Sequence, residues 1–292
     1  MSRTIRIAAF CFAILLAAAP AAQGEELRPG VAKVELKGHA GAHRGGGGLW
    51  PEATLYAYQH CAERWPDMLL EGDVQTTSDG ELVMMHDATV NRTTDGEGLI
   101  TAKTFEEVRA LDAGYHFKGP EGDFPFRGKG LQVPTFAEVL AACPNHQFLI
   151  ETKHGEKVVE KTIEVIRAAG AESRVIVASF NPLHMGTFRE KAPEIARCFD
   201  PSNALLLFTA LNSGDWQGYE PAASYLAFSP GLAKQIGATA ENFKAIQAKG
   251  IPVQVHTVNS PEAIREYLAM GIDLVLSDYP DRVYEALDEA KP

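Results

Sequence analysis

Short apolar runs recur along this chain and alternate with longer amphipathic stretches, the pattern of parallel strands joined by crossover helices. The runs predict strands at 34–39, 68–75, 82–85, 148–151, 174–178, 195–199, 225–228, 252–255 and 274–276. Helical spacing with N-terminal signals is clearest at 51–64, 134–142, 156–169, 240–249 and 261–270. About eight such β/α units, with 82–85 as an extra hairpin strand, predict an α/β fold: a TIM (β/α)8 barrel. The stretch 89–132, rich in glycine and charge, interrupts the repeat and predicts a small insertion over the C-terminal mouth.

The first 24 residues do not fit this pattern. Arg3 and Arg6 precede an apolar run from Ile7 to Ala19, and small residues follow up to Gly24. That is the layout of a cleavable secretory signal peptide, so the mature domain is expected over 25–292, secreted or periplasmic. The run is too short for a membrane span, which needs about 20 apolar residues. Cys11 lies inside it, away from the cleavage point, which argues against a lipoprotein anchor.

Charge narrows the choice of partners. The chain has 27 basic side chains, two of them in the leader, against 38 acidic ones, so the mature part carries a formal −13. Such a surface excludes nucleic acid and anionic membranes as natural partners, and a phosphate ligand would have to rely on a local cation and a few placed basic groups. No linker divides the mature chain, and nothing in it calls for an obligate protein partner. Cys61, Cys143 and Cys198 lack metal-ligand spacing, and are either buried free thiols or allow one disulfide.

The polar residues that break the apolar pattern gather at the C-terminal ends of predicted strands: His43, Glu71 with Asp73, Glu151 with Lys153, Ser179, His256, and Ser277 with Asp278. That is where barrel enzymes place catalytic groups. Glu71 and Asp73 are two apart, so on a strand they share one face. Two close carboxylates among apolar neighbours call for a cation, and with Glu151 from the next strand they offer an oxygen-only set for one divalent ion, Ca²⁺ or Mg²⁺. His43 and His86 are suited to divide proton transfer between nucleophile and leaving group. Arg44 and Lys153 supply a guanidinium fork and a point charge for phosphate. Trp50 and Phe126 are candidates for the pocket rim. The run Gly45 to Gly48 is either a phosphate-cradling loop or a loose loop beside the site.

These residues fall into ordered segments. They are His43-Arg44-Gly45 followed by Pro51-Glu52-Ala53-Thr54; Glu71-Gly72-Asp73-Val74-Gln75-Thr76-Thr77-Ser78-Asp79-Gly80; Met85-His86-Asp87; Arg92-Thr93-Thr94; Val133-Pro134-Thr135-Phe136; Ile150-Glu151-Thr152-Lys153; and Ser277-Asp278-Tyr279-Pro280-Asp281. From about His39 to Arg282 the chain resembles the glycerophosphodiester phosphodiesterases, a TIM-barrel family. The resemblance implies His43 and His86 as the acid/base pair, Glu71, Asp73 and Glu151 as ligands of the divalent cation, and Arg44 and Lys153 as phosphate contacts. It implies metal-dependent hydrolysis of a small-molecule glycerophosphodiester to sn-glycerol 3-phosphate and an alcohol. The alternatives are a related enzyme acting on lysophospholipids or sphingomyelin with phospholipase D outcome, and a non-catalytic phosphodiester-binding barrel. Two positions depart from the family pattern. Ala53 stands where asparagine is usual, and His256 where the pocket wall is usually tryptophan, which bears on substrate preference.

Overall fold

The structure is a computed structural model that describes residues 31–236 and 238–291, so the expected leader lies outside the described residues. The chain forms a parallel barrel wrapped by helices. Its strands are β1 (Ala40–Ala42), β2 (Leu69–Thr76), β3 (Leu82–Met84), β4 (Gln147–Thr152), β5 (Val175–Ala178), β6 (Ala196–Arg197), β7 (Leu226–Phe228), β8 (Val253–Val255) and β9 (Leu274–Ser277). Neighbours run in the order β6-β5-β4-β2-β1-β9-β8-β7, with β3 paired antiparallel to β2 as the expected hairpin. A parallel bridge between Cys198 and Tyr225, with Phe199 N–H donating to Tyr225 O at 2.9 Å, joins the two ends and closes the ring of eight.

The first strand differs from expectation. Residues 34–39 do not pair as a strand; β1 begins at Ala40, in register with Val275 on one side, while Gly41 faces Leu69 on the other. The preceding segment crosses the N-terminal end of the barrel. Val34 N–H donates to Tyr225 Oη and Lys37 N–H to Gln147 Oε1, both at 2.9 Å, and Val34 is buried against Leu69, Leu149, Ile176 and Leu274. Its apolar residues therefore plug the barrel floor, which gives the same hydrophobic signature as a strand.

The helices are α1 (Leu55–Arg64), α2 (Phe105–Arg109), α3 (Phe136–Ala142), α4 (Val158–Ala168), α5 (Pro182–Lys191), α6 (Pro201–Ser213), α7 (Pro230–Ile236), α8 (Ala240–Ala248), α9 (Pro261–Ala269) and α10 (Pro280–Glu289). Their starts follow from local chemistry: Thr54, Thr135, Thr239 and Ser260 each accept a backbone N–H from the first turn, satisfying donors that have no intrahelical partner. α1 starts at Leu55 and not at Pro51, because Ala53 sits at φ +58°, incompatible with a continuous helix.

The insertion carries its own small core of Val90, Ile100, Val108 and Ala113, packed on Val83 and Met85 of the hairpin and on Val133. Alternation along β2 divides the main core. Leu70 and Val74 face the helix layer, while Leu69 joins the barrel interior and Glu71 and Asp73 point to its mouth. Cys61, Cys143 and Cys198 are buried free thiols.

Candidate active site

Strand register brings the three carboxylates together. Asp73 on β2 is directly opposite Glu151 on β4, and Glu71 lies two residues before Asp73 on the same face. Glu71 is 6% exposed and Asp73 2%. Gly72 between them is required: a Cβ there would stand 2.2 Å from Tyr58 Oη, the hydroxyl that donates to Glu71 O at 3.2 Å. Burial, and then the Asp73 charge, push the Glu71 carboxyl up. Burial also raises Glu151, against the pull of Lys153.

Two cations answer this charge. Lys153 Nζ lies 2.8 Å from Glu151 Oε1 and 3.2 Å from Asp73 Oδ1. Arg44, held at φ +53°, donates its backbone N–H to Glu71 Oε2 at 2.7 Å, and its Nε approaches Asp73 Oδ2 at 3.7 Å. Among the described residues no three His, Cys, Asp or Glu side chains stand close enough to enclose a metal as they are, since Lys153 bridges two of the three. The donor set nonetheless fits a hard cation. It is all oxygen, and Asp73 Oδ2 is buried without a hydrogen-bond partner.

Both candidate histidines are oriented by an aspartate. His43, which follows β1, donates from Nδ1 to Asp278 Oδ1 at 2.6 Å, leaving Nε2 toward the mouth, 3.4 Å from Thr257 Oγ1. Asp278 is fixed in turn by Asn259, whose Nδ2 donates to Oδ2 at 2.7 Å and whose Oδ1 accepts Asp278 N–H at 2.9 Å. Burial opposes a charge on His43, but Glu71 and Asp278 outweigh it and raise the imidazole pKa. His86, after the hairpin, pairs through Nδ1 with Asp87 Oδ1 at 2.7 Å. Gln75 pins that turn by donating to Met85 O and Asp87 O at 2.8 and 2.6 Å. Arg92 clamps Asp87 and Glu52 together, and Glu52 accepts from Arg44 at 3.2 Å. A single polar chain thus links the β1 loop to the His86 turn. Of the residues in this network, Asp278 is marked in the sequence by its place at a strand end, whereas Asp87, Gln75, Glu52 and Arg92 stand in the ordered segments with nothing in their spacing to show what they hold.

His43, Arg44, Glu71, Asp73, His86, Glu151, Lys153 and His256 all line one cavity of about 720 Å³. His256 forms part of its wall, with Nδ1 buried and unpartnered, and burial, then His43 and Lys153, bring its pKa down to about 4. The opposite side is apolar: Phe180, Phe199, Leu205, Phe208 and Leu232. Trp50 and Phe126 do not line it. Trp50 packs edge-on against Trp65 beneath the β1 loop, and Phe126 packs on Tyr56 and Phe117, fastening the insertion to α1. Each is an aromatic residue spent on packing between elements. Gly45 and Gly46 take positive φ in a tight turn in which the Gly46 and Gly47 N–H groups donate to His43 O and the Gly48 N–H to Asp278 O, and whose glycines meet Tyr58 and Cys61, so the run is a packed turn.

Fold and site together define a (β/α)8 barrel whose C-terminal mouth is lined by histidines, carboxylates and two basic side chains. The glycerophosphoryl diester phosphodiesterase family model matches residues 43–282. A glycerophosphodiester phosphodiesterase of Bacillus altitudinis is 31% identical over 257 residues, covering 86% of this chain and 98% of its own. One from Caldanaerobacter subterraneus is 32% identical over 252 residues, covering 82% and 93%. The Oleispira antarctica phosphodiesterase, solved with the product sn-glycerol-3-phosphate, superimposes with a TM-score of 0.70 at 26% identity, over 86% of this chain and 96% of that one. The glycerophosphoryl diester phosphodiesterase domain from Mycobacterium tuberculosis gives 0.73 at 18% identity over 87% and 99%, a likeness of fold. This chain belongs to the glycerophosphoryl diester phosphodiesterase family.

Proposed function

We propose that this protein hydrolyses glycerophosphodiesters to sn-glycerol 3-phosphate and an alcohol, with His43 and His86 as the acid/base pair. The observation that carries this reading is the pair of aspartate-oriented imidazoles facing one cavity that also holds Arg44 and Lys153. The names of its relatives and the product complex of the Oleispira enzyme support it. Arg44 and Lys153 bind the phosphate oxygens and offset the charge that develops there. One imidazole takes the proton of the attacking hydroxyl, the new P–O bond forms, the P–O bond to the alcohol breaks, and the other imidazole protonates the leaving alkoxide. With the neighbouring glycerol hydroxyl as nucleophile the product is a cyclic phosphate, which water then opens with the roles of the two histidines reversed. One divalent cation, Ca²⁺ or Mg²⁺, held by Glu71, Asp73 and Glu151, would supply charge neutralisation and polarisation of the phosphate. The place of action is secreted or periplasmic.

The test is turnover of glycerophosphocholine by wild type, His43→Ala and His86→Ala. Each variant is expected to lose on the order of 10²–10⁴ in kcat; near-wild-type turnover by either removes the assignment. A second reading, lysophospholipase D, is favoured by the apolar half of the cavity, where Phe180 and Leu205 are each 67% exposed and suited to an acyl chain. Comparing rates on glycerophosphocholine and lysophosphatidylcholine separates the two.

A further inference from the structure

β6 sends its side chains into two surroundings. Ala196 and Cys198 join the barrel interior, while Arg197 between them points outward, beneath the helices, and is only 5% exposed. Its Nε and Nη1 are buried without a hydrogen-bond partner, and it forms no ion pair among the described residues. A guanidinium cannot shed its charge, and a buried one without an acceptor is strongly disfavoured. Two other partly buried arginines show what such a group ordinarily finds: Arg174 donates to three carbonyls, and Arg92 to two carboxylates.

Arg197 lines a cavity of about 170 Å³ between α5 and the head of α6, together with Arg189, Asp200, Ser202 and Asn203. The second arginine adds repulsion, not relief: burial and Arg189 together lower the Arg197 pKa. The one carboxylate at the cavity is already committed. Asp200 Oδ1 accepts the N–H groups of Ser202 and Asn203 at 2.9 and 3.1 Å, and Oδ2 accepts the Asn203 amide. Arg197, Arg189 and Ser202 therefore line one small space whose single carboxylate is taken up by the cap of α6. The catalytic cavity lies on the other side of the same helix, where Pro201, Ala204, Leu205 and Phe208 of α6 form its apolar wall.

We propose that this second cavity is a binding site for a small tetrahedral oxyanion, held by Arg197 and Arg189, and that its occupancy fixes the first turn of α6. The ligand class follows from the donors, since a planar guanidinium fork matches the oxygen spacing of phosphate or sulfate. The site is separate from the catalytic phosphate contacts Arg44 and Lys153, and does not depend on the proposed activity.

Equilibrium dialysis with inorganic phosphate, at an ionic strength matched with chloride, tests it on the full-length protein. Arg197→Met should bind one phosphate fewer than wild type, with the catalytic residues untouched in both. Thermal unfolding gives a second readout. In phosphate-free buffer Arg197→Met should melt at or above wild type, because an unpaired buried charge has been removed. Phosphate should then raise the melting temperature of wild type more than that of the variant. Replacing phosphate with sulfate should preserve the difference; its loss with sulfate would confine the site to phosphate and overturn the broader oxyanion class. Equal phosphate stoichiometry and equal thermal response in the two proteins would mean that water alone meets Arg197, and would overturn the proposal. Should Arg197→Met fail to fold, Arg189→Gln on the exposed rim takes its place. A severalfold weaker phosphate affinity is then expected, and an unchanged affinity would overturn the site.

Discussion

At the scale of single residues, the catalytic potential of His43 rests on which of its nitrogens is free. A carboxylate can only accept, so the 2.6 Å contact with Asp278 places the imidazole proton on Nδ1 and leaves Nε2 for the substrate. In the proposed mechanism Asp278 is a positioning residue, acting through the ring it orients. Asp278→Asn is therefore expected to lower kcat by on the order of 10²–10⁴ with little change in KM. It should also shift the pH profile. Asp278 helps hold the His43 pKa up, so its removal should move the limb belonging to His43 to lower pH. An unshifted profile with full kcat would leave Asp278 with a merely structural role. Sequence spacing was enough to find Glu71 and Asp73, because strand alternation alone puts them on one face. It could not find the partnership of residues 43 and 278, which meet only because β1 and β9 are neighbours in the barrel.

At the scale of elements, the strand–helix alternation is legible for seven of the eight barrel strands, since each is a short, largely apolar stretch buried on both sides. The floor segment 34–39 was misread for the same reason: periodicity reports burial, not pairing. Trp50 and Phe126 were placed at the rim because large aromatics suit pockets, yet here they join the β1 loop and the insertion to α1. The insertion has a second attachment, the bidentate ion pair of Arg109 on α2 with Glu138 on α3, at 2.6 and 2.7 Å. The Arg109 guanidinium holds the Glu138 carboxyl below its ordinary pKa. A group depressed in this way contributes stability above its unfolded pKa, and the contribution disappears as pH falls through the folded value. Because the pair is partly solvated, Arg109→Ala should cost about 1 kcal/mol or less, roughly 2–4 °C in Tm, near pH 7. Most of that difference should vanish once the medium is acid enough to protonate Glu138; what persists belongs to the Arg109 contacts with Gln132 and Val133. Melting curves of both proteins from pH 7 down to pH 3 check it, and a difference that stays constant with pH would assign the effect to packing.

At the scale of the whole molecule, the barrel makes a strongly acidic protein tolerate an anionic substrate. The chain carries a formal charge of −11, and its surface offers phosphate no general attraction. β1, β2 and β4 and the turns that follow them deliver the charged groups of the site to one mouth, where three carboxylates face Arg44 and Lys153 beside the imidazoles of His43 and His86. Composition makes the need for a local cation legible, but not the place of Lys153 between Glu151 and Asp73, which spacing along the chain does not show. A divalent cation held by Glu71, Asp73 and Glu151 would offset the burial and the Asp73 charge that raise the Glu71 carboxyl, and free Lys153 for phosphate. Binding to the folded state alone must then stabilise the fold. At about a hundred times its dissociation constant the cation adds about 2.7 kcal/mol, which for a domain of this size is a Tm gain of roughly 5–10 °C over the same protein in chelator. The gain should be lost in Asp73→Asn, compared within that variant so that its own loss of stability cancels, and should be unchanged in Arg109→Ala, which lies away from the site. Identical melting of wild type with chelator and with millimolar Ca²⁺ or Mg²⁺ would mean that Lys153 is the cation of this site, and that the phosphate is met by protein side chains alone.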